Sequence, residues 1–555
     1  MNNINFLEMA SLDVFVGVLG KDKASHLLNR LTFGATRQEI DAFASKSVTE
    51  AITILLTAQT VPSPPIDSKT GLVWVVPTST NSGEGDLRDF FRSWFYGLMY
   101  NAGTNSTEKL TFFLHTNFTA IGSVIDKSTS LYYQNQLLRK YALGNFKELA
   151  LSICLDNAML QLLDNRLNEN IRPNENFARE FLELYTIGKG QENGAGNYTT
   201  YTEQDVQAAA KVLSGWDVDL TYTTLDPITS FPIGKHKGSP SANANKHDAS
   251  TKVFSAAFQN TEIKPKAVVN KLVTAVDAKD EIAQLVNMIF AQEATAKNIC
   301  RKIYRFFVYY NITDEIESNI ITPLAQKLIA NNFELRPVFE QLFKSQHFFD
   351  ADNTIVKDDK RGAIIKSPLE ITIGMMRFFE IALPNYSTDT TNFYKQILPV
   401  LDAMYDQGFD LYEPLDVAGY EAYFQAPTFN RNWISPNFLA RRFQFAQYLL
   451  EGKSKNGDPW LLKIDSVAFV SNPNNISNPS NASDLVQELI DYLFPEAITP
   501  ERFDYFLNIL LDKLPAYEWT IEWNDYKTSG NDMAVRMQTD ALLNAILQSA
   551  EYQLS

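Results

Sequence analysis

Cysteine and histidine are scarce in this chain, at two and five residues in 555. Cys154 and Cys300 are too few for a thiolate metal cluster or a disulfide framework. An all-histidine metal centre would consume most of the histidines. Basic residues are also in deficit, 49 Lys and Arg against 65 Asp and Glu, giving a net charge of −16. That balance opposes nucleic acid as a partner, because such binding gains from counterion release onto a positive surface. It disfavours an anionic membrane for the same reason. No stretch reaches the roughly 18–20 apolar residues of a membrane span. No secretory signal is visible either: the apolar run 15–20 is short, Asp13 precedes it, and no basic residue comes before Lys21. The expected location is therefore cytoplasmic, with an extracytoplasmic location as the alternative if a leader is missing. H-E-x-x-H, G-x-S-x-G, P-loop and C-x-x-C motifs are absent too.

What is present is ordinary globular composition, 45% hydrophobic and 21% charged, with 12% aromatics to fill a core. Helical spacing runs through 23–30, 87–100, 108–118, 132–141 and 146–163. It resumes at 265–275, 281–292, 296–310, 323–330, 335–349, 367–383 and 435–451. Thr36 with Glu39 reads as a capping box. No βαβ alternation occurs. The expected fold is mainly α, a large helical-bundle-like domain with long loop insertions and little or no β. It would comprise an N-terminal segment 1–22, a main domain 23–450 with insertions at 61–85, 188–200 and 217–250, a polar linker 451–483 and C-terminal helices 484–555 packing on the main domain. Within the main domain, 398–436 reads as loop, and Trp74-Val75-Val76 as a short strand or extended segment.

The richest segment is PNENFAREFLEL, from Pro173 to Leu184. Asn174 reads as the N-cap, and Phe177, Phe181 and Leu184 share one face. Asn176, Glu180 and Glu183 follow the same spacing about 100° round the helix. Carboxylates three residues apart on a helix are neighbours. They could bind a hard divalent cation, or one could raise the other's pKa for acid/base work. A solvated face of i,i+4 pairs, Glu175–Arg179 and Arg179–Glu183, explains the same pattern. A second helix, YTEQDVQAAAKVLSGW, carries a capping box of Thr202 and Asp205, a buried stripe through Val206, Ala209, Ala210 and Leu213, a stop at Gly215, and Trp216 as a core plug. Downstream, His247 beside Asp248 could supply a base, a ligand or only a turn. Asn243 and Asn245 at alternate positions before it hint at an ion-binding loop. His115, near the end of an aromatic helix, reads first as a core residue.

Taken together, HLLNRLTFGAT (26–36), EKLTFFLHTNF (108–118), PNENFAREFLELYTIG (173–188) with YTEQDVQAAAKVLSGW, HDASTKVF (247–254), KSPLEITIGMMR (366–377) and SAEYQL (549–554) resemble one bacterial family, the domain of unknown function 1800. The resemblance runs over about 26–554. Leu114 stands where that family has tryptophan, Asn117 where it has a second histidine, and Gly419-Tyr420 where it tends to Gly-Trp. The resemblance implies no settled activity. It does place Asn174, Glu175, Asn176, Arg179, Glu180, Glu183, Asp205, Trp216, His247, Asp248 and Lys252 on motif positions. Family members often occur beside a second family similar to alkaline phosphatases and sulfatases, so a companion of that kind is the implied partner. Many members also carry export signals.

Two readings of function are open. In the first the chain is a hydrolase-like enzyme with a carboxylate-led site. Glu180, Glu183, His247 and Asp248 are then the catalytic groups, and Asn176, Arg179, Lys252 and Trp216 contact substrate. A divalent cation would sit on Glu180, Glu183 and His247. In the second the same residues form a buried structural network in a helical scaffold or interaction protein. The aromatic-rich stretch 405–433 would then be a binding surface.

Overall fold

The computed structural model describes residues 10–76, 81–237, 246–268, 272–352, 363–457 and 459–555. Asn243 and Asn245 lie outside them. The architecture is mainly α, as expected: helices from Gly20–Leu31 to Met533–Leu547 pack round one continuous apolar core. Two antiparallel two-stranded pairs are the only named strands among the described residues, Trp216–Asp217 with Lys235–His236 and Lys252–Val253 with Glu262–Ile263.

Local chemistry explains many of the boundaries. Reciprocal capping boxes open the helices at Thr36/Glu39, Ser47/Glu50, Thr202/Asp205 and Ser367/Glu370. Each satisfies N–H groups that a helix start leaves orphaned. The apolar run 146–163 is two helices, Phe146–Ile153 and Asn157–Leu162, because Asp156 caps the second through Met159 N at 3.0 Å. Residues 265–268 and 272–274 are not helical; that helix starts at Ala275, behind Thr274 as N-cap. The expected loop 398–436 is also corrected. Helix Thr390–Asp406 runs into it, with Pro399 inside and Phe393, Ile397, Val400, Leu401 and Met404 buried. Packing of that stripe outweighs the single hydrogen bond Pro399 cannot make. Trp74 is fully buried and forms no named strand.

The 217–250 insertion is ordered where described. Asp219 accepts backbone N–H bonds from Thr221, Thr223 and Thr224, at 3.0, 3.1 and 2.8 Å. Asp226 pairs with Lys279 at 3.0 Å. The 451–483 stretch contains a helix, Ser466–Ser471, and a buried Ile476. The C-terminal helices close on the first ones: Ala482–Leu493 packs against Gly20–Leu31, and Tyr492 donates to Asp41 at 2.6 Å. Arg37 pairs with Glu488 across the same contact.

Candidate functional site

The motif residues divide into two polar assemblies. The first surrounds His247. Gly215, at φ +82°, follows the second motif helix, Glu203–Val212, and a Cβ there would meet the His247 backbone nitrogen at 2.6 Å. That close approach brings the 246–252 segment under the helix end. His247 is fully buried. Its Nδ1 lies 2.8 Å from the Ser214 carbonyl oxygen and its Nε2 3.4 Å from Glu281 Oε1. Lys252, also buried, forms an ion pair with Glu281 and donates to the Asp248 carbonyl at 2.6 Å. Asp248 receives the Ser250 N–H at 2.7 Å, and its own N–H donates to Ser214 Oγ at 2.9 Å. Asp205 holds the next stretch of chain, accepting the Ser255 N–H and hydroxyl at 2.7 Å each. Trp216 is buried edge-on to His236, with ring centroids 5.2 Å apart. Burial and the neighbouring His247 lower the His236 pKa to about 4. The centre of this assembly, His247, Lys252 and Glu281, is buried, and it ties the loop to helices Glu203–Val212 and Ala275–Phe290.

The second assembly is the PNENFAREFLEL segment. Its helix starts one residue later than the capping pattern predicts. Asn176–Glu180 is α-helical with Glu175 at the cap position, while Asn174 Oδ1 accepts the Asn176 N–H at 3.0 Å. Phe181–Tyr185 then widens into a π-turn. Such a turn inserts a residue and rotates the chain beyond it, a distortion frequent at functional sites. Thr186 closes the turn by donating to the Phe181 carbonyl at 2.5 Å. Gly188, at φ +76°, stops the helix where the Asn298 side chain presses against it, 2.9 Å from a would-be Cβ.

Arg179 forks onto Glu203 at 3.0 and 2.7 Å and reaches Glu175 at 3.3 Å. Asn176 is exposed. Glu183 pairs with Lys189 and accepts the Tyr201 hydroxyl at 3.1 Å. Glu180 is half-buried, and its pKa is raised to about 7, first by burial and then by the charge of Glu183. Glu183 forms part of the wall of a cleft of about 130 Å³, together with Asn117, Asn298, Lys302, Arg305 and Ala418. Glu180 sits one turn back from that wall.

Sequence reasoning missed Lys302 and Arg305. They come from helix Glu293–Phe307, remote in the chain, and no spacing links them to Glu183. Lys302 donates to the Leu184 carbonyl, and burial lowers its pKa to about 8. Burial also lowers that of Arg305. Asn117, which stands where the resembled family has histidine, lies in this cleft. His115 does not: it is fully buried and stacked on Tyr412 at 3.9 Å, with burial pushing its pKa down to about 3.

His247 is engaged with Ser214 and Glu281, whereas Glu183 is engaged with Lys189 and Tyr201. Among the described residues no group of three or more His, Cys, Asp or Glu side chains is arranged to hold a metal ion, and Glu180, Glu183 and His247 form no such group. Also among the described residues, no helix is long and apolar enough to cross a membrane.

No curated protein and no solved structure matches the chain. The family model described as a protein of unknown function, DUF1800, matches residues 26–554, nearly the whole sequence. The chain belongs to the DUF1800 family.

Proposed function

We propose a hydrolase-like enzyme whose site is the cleft beside the π-turn. The observation that carries this reading is a half-buried carboxyl, Glu180, held near neutrality one turn from Glu183 in the cleft wall. A carboxyl with a pKa of about 7 serves as proton donor or acceptor at working pH. Glu183, Lys302 and Arg305 would hold polar or anionic groups of a phosphate, sulfate or glycan-like substrate. A divalent cation on Glu180 and Glu183 is the alternative arrangement at this site: both carboxylates would then be ionised oxygen ligands, and a bound water would replace Glu180 as the proton-transfer group.

A panel of nitrophenyl phosphate, sulfate and glycoside substrates tests this, with elemental analysis of the purified protein. Glu180→Gln is expected to lower turnover by about 10²–10⁴-fold, the usual contribution of a general acid or base. The wild-type rate should change with an apparent pKa near 7. Absence of turnover across the panel would sink the enzyme reading.

A second reading has its own support. The sealed Glu281, His247 and Lys252 network favours a helical scaffold in which that half of the motif is structural. The implied partner is the phosphatase- or sulfatase-like companion. Co-purification with it, unaffected by Glu180→Gln, is the expected result.

A further inference from the structure

A separate cleft of about 440 Å³ opens between the end of helix Thr390–Asp406 and the start of helix Pro436–Glu451. That volume lies within the roughly 300–1,000 Å³ of small-molecule sites. Its floor is aromatic. Phe409 stacks on Tyr420 with centroids 4.5 Å apart and 15° between planes, and Trp433 stands edge-on to Phe409 at 5.9 Å. Tyr405, 63% exposed, and Leu415, 94% exposed, stand on its lining with their apolar surfaces in water.

The polar part of the lining has a particular balance. Asp406, Asp410 and Glu413 all line the cleft, and each is paired to a cation outside it. Lys455 lies 3.1 Å from Asp406, Arg88 lies 3.5 Å from Glu413, and Arg92 pairs with Asp410. Their charge is thus largely compensated, while a carboxylate keeps further acceptor sites. The two remaining charged residues of the lining, Glu421 and Arg441, are of opposite sign. Asn432 lines the cleft as well, and among the described residues its Nδ2 has no hydrogen-bond partner.

This combination selects among ligand classes. A cation would gain from an uncompensated acidic field over the rings, and here three of the four acids are already paired. A wholly apolar ligand would bury carboxylates and amides without hydrogen bonds. A neutral sugar ring has an apolar C–H face for an aromatic surface and a rim of hydroxyls for carboxylates and amides. We infer that this cleft binds a neutral carbohydrate, with Tyr405 as the exposed stacking face and Asn432 and the compensated carboxylates as hydrogen-bonding groups. The inference stands apart from the proposed hydrolysis.

Calorimetric titration of the full-length protein with maltotriose, cellotriose and chitotriose tests it, with choline chloride as the cationic control. Saturable binding of at least one trisaccharide is expected. Tyr405→Ala, at an exposed position, should weaken it about tenfold through loss of one stacking face. Glu180→Gln should leave it unchanged, so failure of the hydrolase reading and failure of this one are distinguishable. No saturable binding of any of the three sugars overturns the proposal. Preferential binding of choline overturns it in favour of a cation site. Sugar binding undiminished in both Tyr405→Ala and Asn432→Leu overturns it by locating the ligand elsewhere.

Discussion

Glu281 stands fully enclosed between His247 and Lys252, so the three side chains depend on one another. Removing one partner of a buried ion pair strands the other charge, at a cost of about 3–5 kcal/mol. Glu281→Gln should therefore destabilise the protein by that order in urea unfolding, and Glu281→Gln with Lys252→Met together by less than either change would suggest. Additive losses would show that the two side chains are not coupled. Glu180 gives a residue-scale prediction of the opposite sign. Its folded pKa of about 7 lies above the ordinary 4.5, so the ionised form is disfavoured in the folded state. The proton held in the fold favours folding below about 4.5, and that advantage is lost as pH rises through about 7. Glu180→Gln should raise stability above pH 7, by at most about 2 kcal/mol after solvent screening at this half-open position, and have no effect at about pH 4. Melting temperatures of both forms at the two pH values check it.

At the scale of elements, the π-turn decides where Glu183 points relative to Glu180. Thr186 closes it with a hydroxyl bond to the carbonyl five residues back. Thr322 does the same to Glu317 at 2.8 Å after the second π-segment, Glu317–Ile321. Thr186→Val keeps the shape and removes the hydroxyl, so a loss of about 1 kcal/mol is expected. If the turn aligns the cleft, the same variant lowers turnover more than its stability loss explains. The periodic pattern 173–184 fixes a helix with Phe177 and Phe181 inward, and that much was legible from spacing. The π-turn was not, because it depends on Lys302 and Asn298 bonding the Leu184 and Thr186 carbonyls from another helix. Helix Thr390–Asp406 escaped for a similar reason: Pro399 reads locally as a break, and only its buried stripe outweighs that.

Across the whole molecule the two ends of the chain share one core. Arg442, fully enclosed, donates to Gln553 Oε1 and to the Lys366 carbonyl, at 2.8 Å each. Leu554 bridges Ile365, and the first helix packs on Ala482–Leu493. Gln553→Leu, which leaves a guanidinium donor unsatisfied, should cost about 1–3 kcal/mol. Thermal unfolding of the full chain should remain a single calorimetric transition. A chain nicked within 451–483 should keep both pieces together on size exclusion, because contacts from the first and last helices hold them. Separation of the pieces would show instead that the linker alone joins two independent units.

The sequence alone determines the mainly helical class, the major helix faces, the capping boxes at Thr36 and Thr202, and the family blocks. These rest on periodicity and short-range hydrogen bonding, which neighbouring residues encode. Only the tertiary structure decided which polar residues meet. The 174–183 carboxylates and His247 look equivalent as motif residues. Burial and long-range partners divide them, enclosing His247 with Glu281 while setting Glu183 beside Lys302 and Arg305 in an open cleft. The paucity of histidine excluded a histidine-rich centre at the outset. That burial would raise the pKa of Glu180 was decided by the fold.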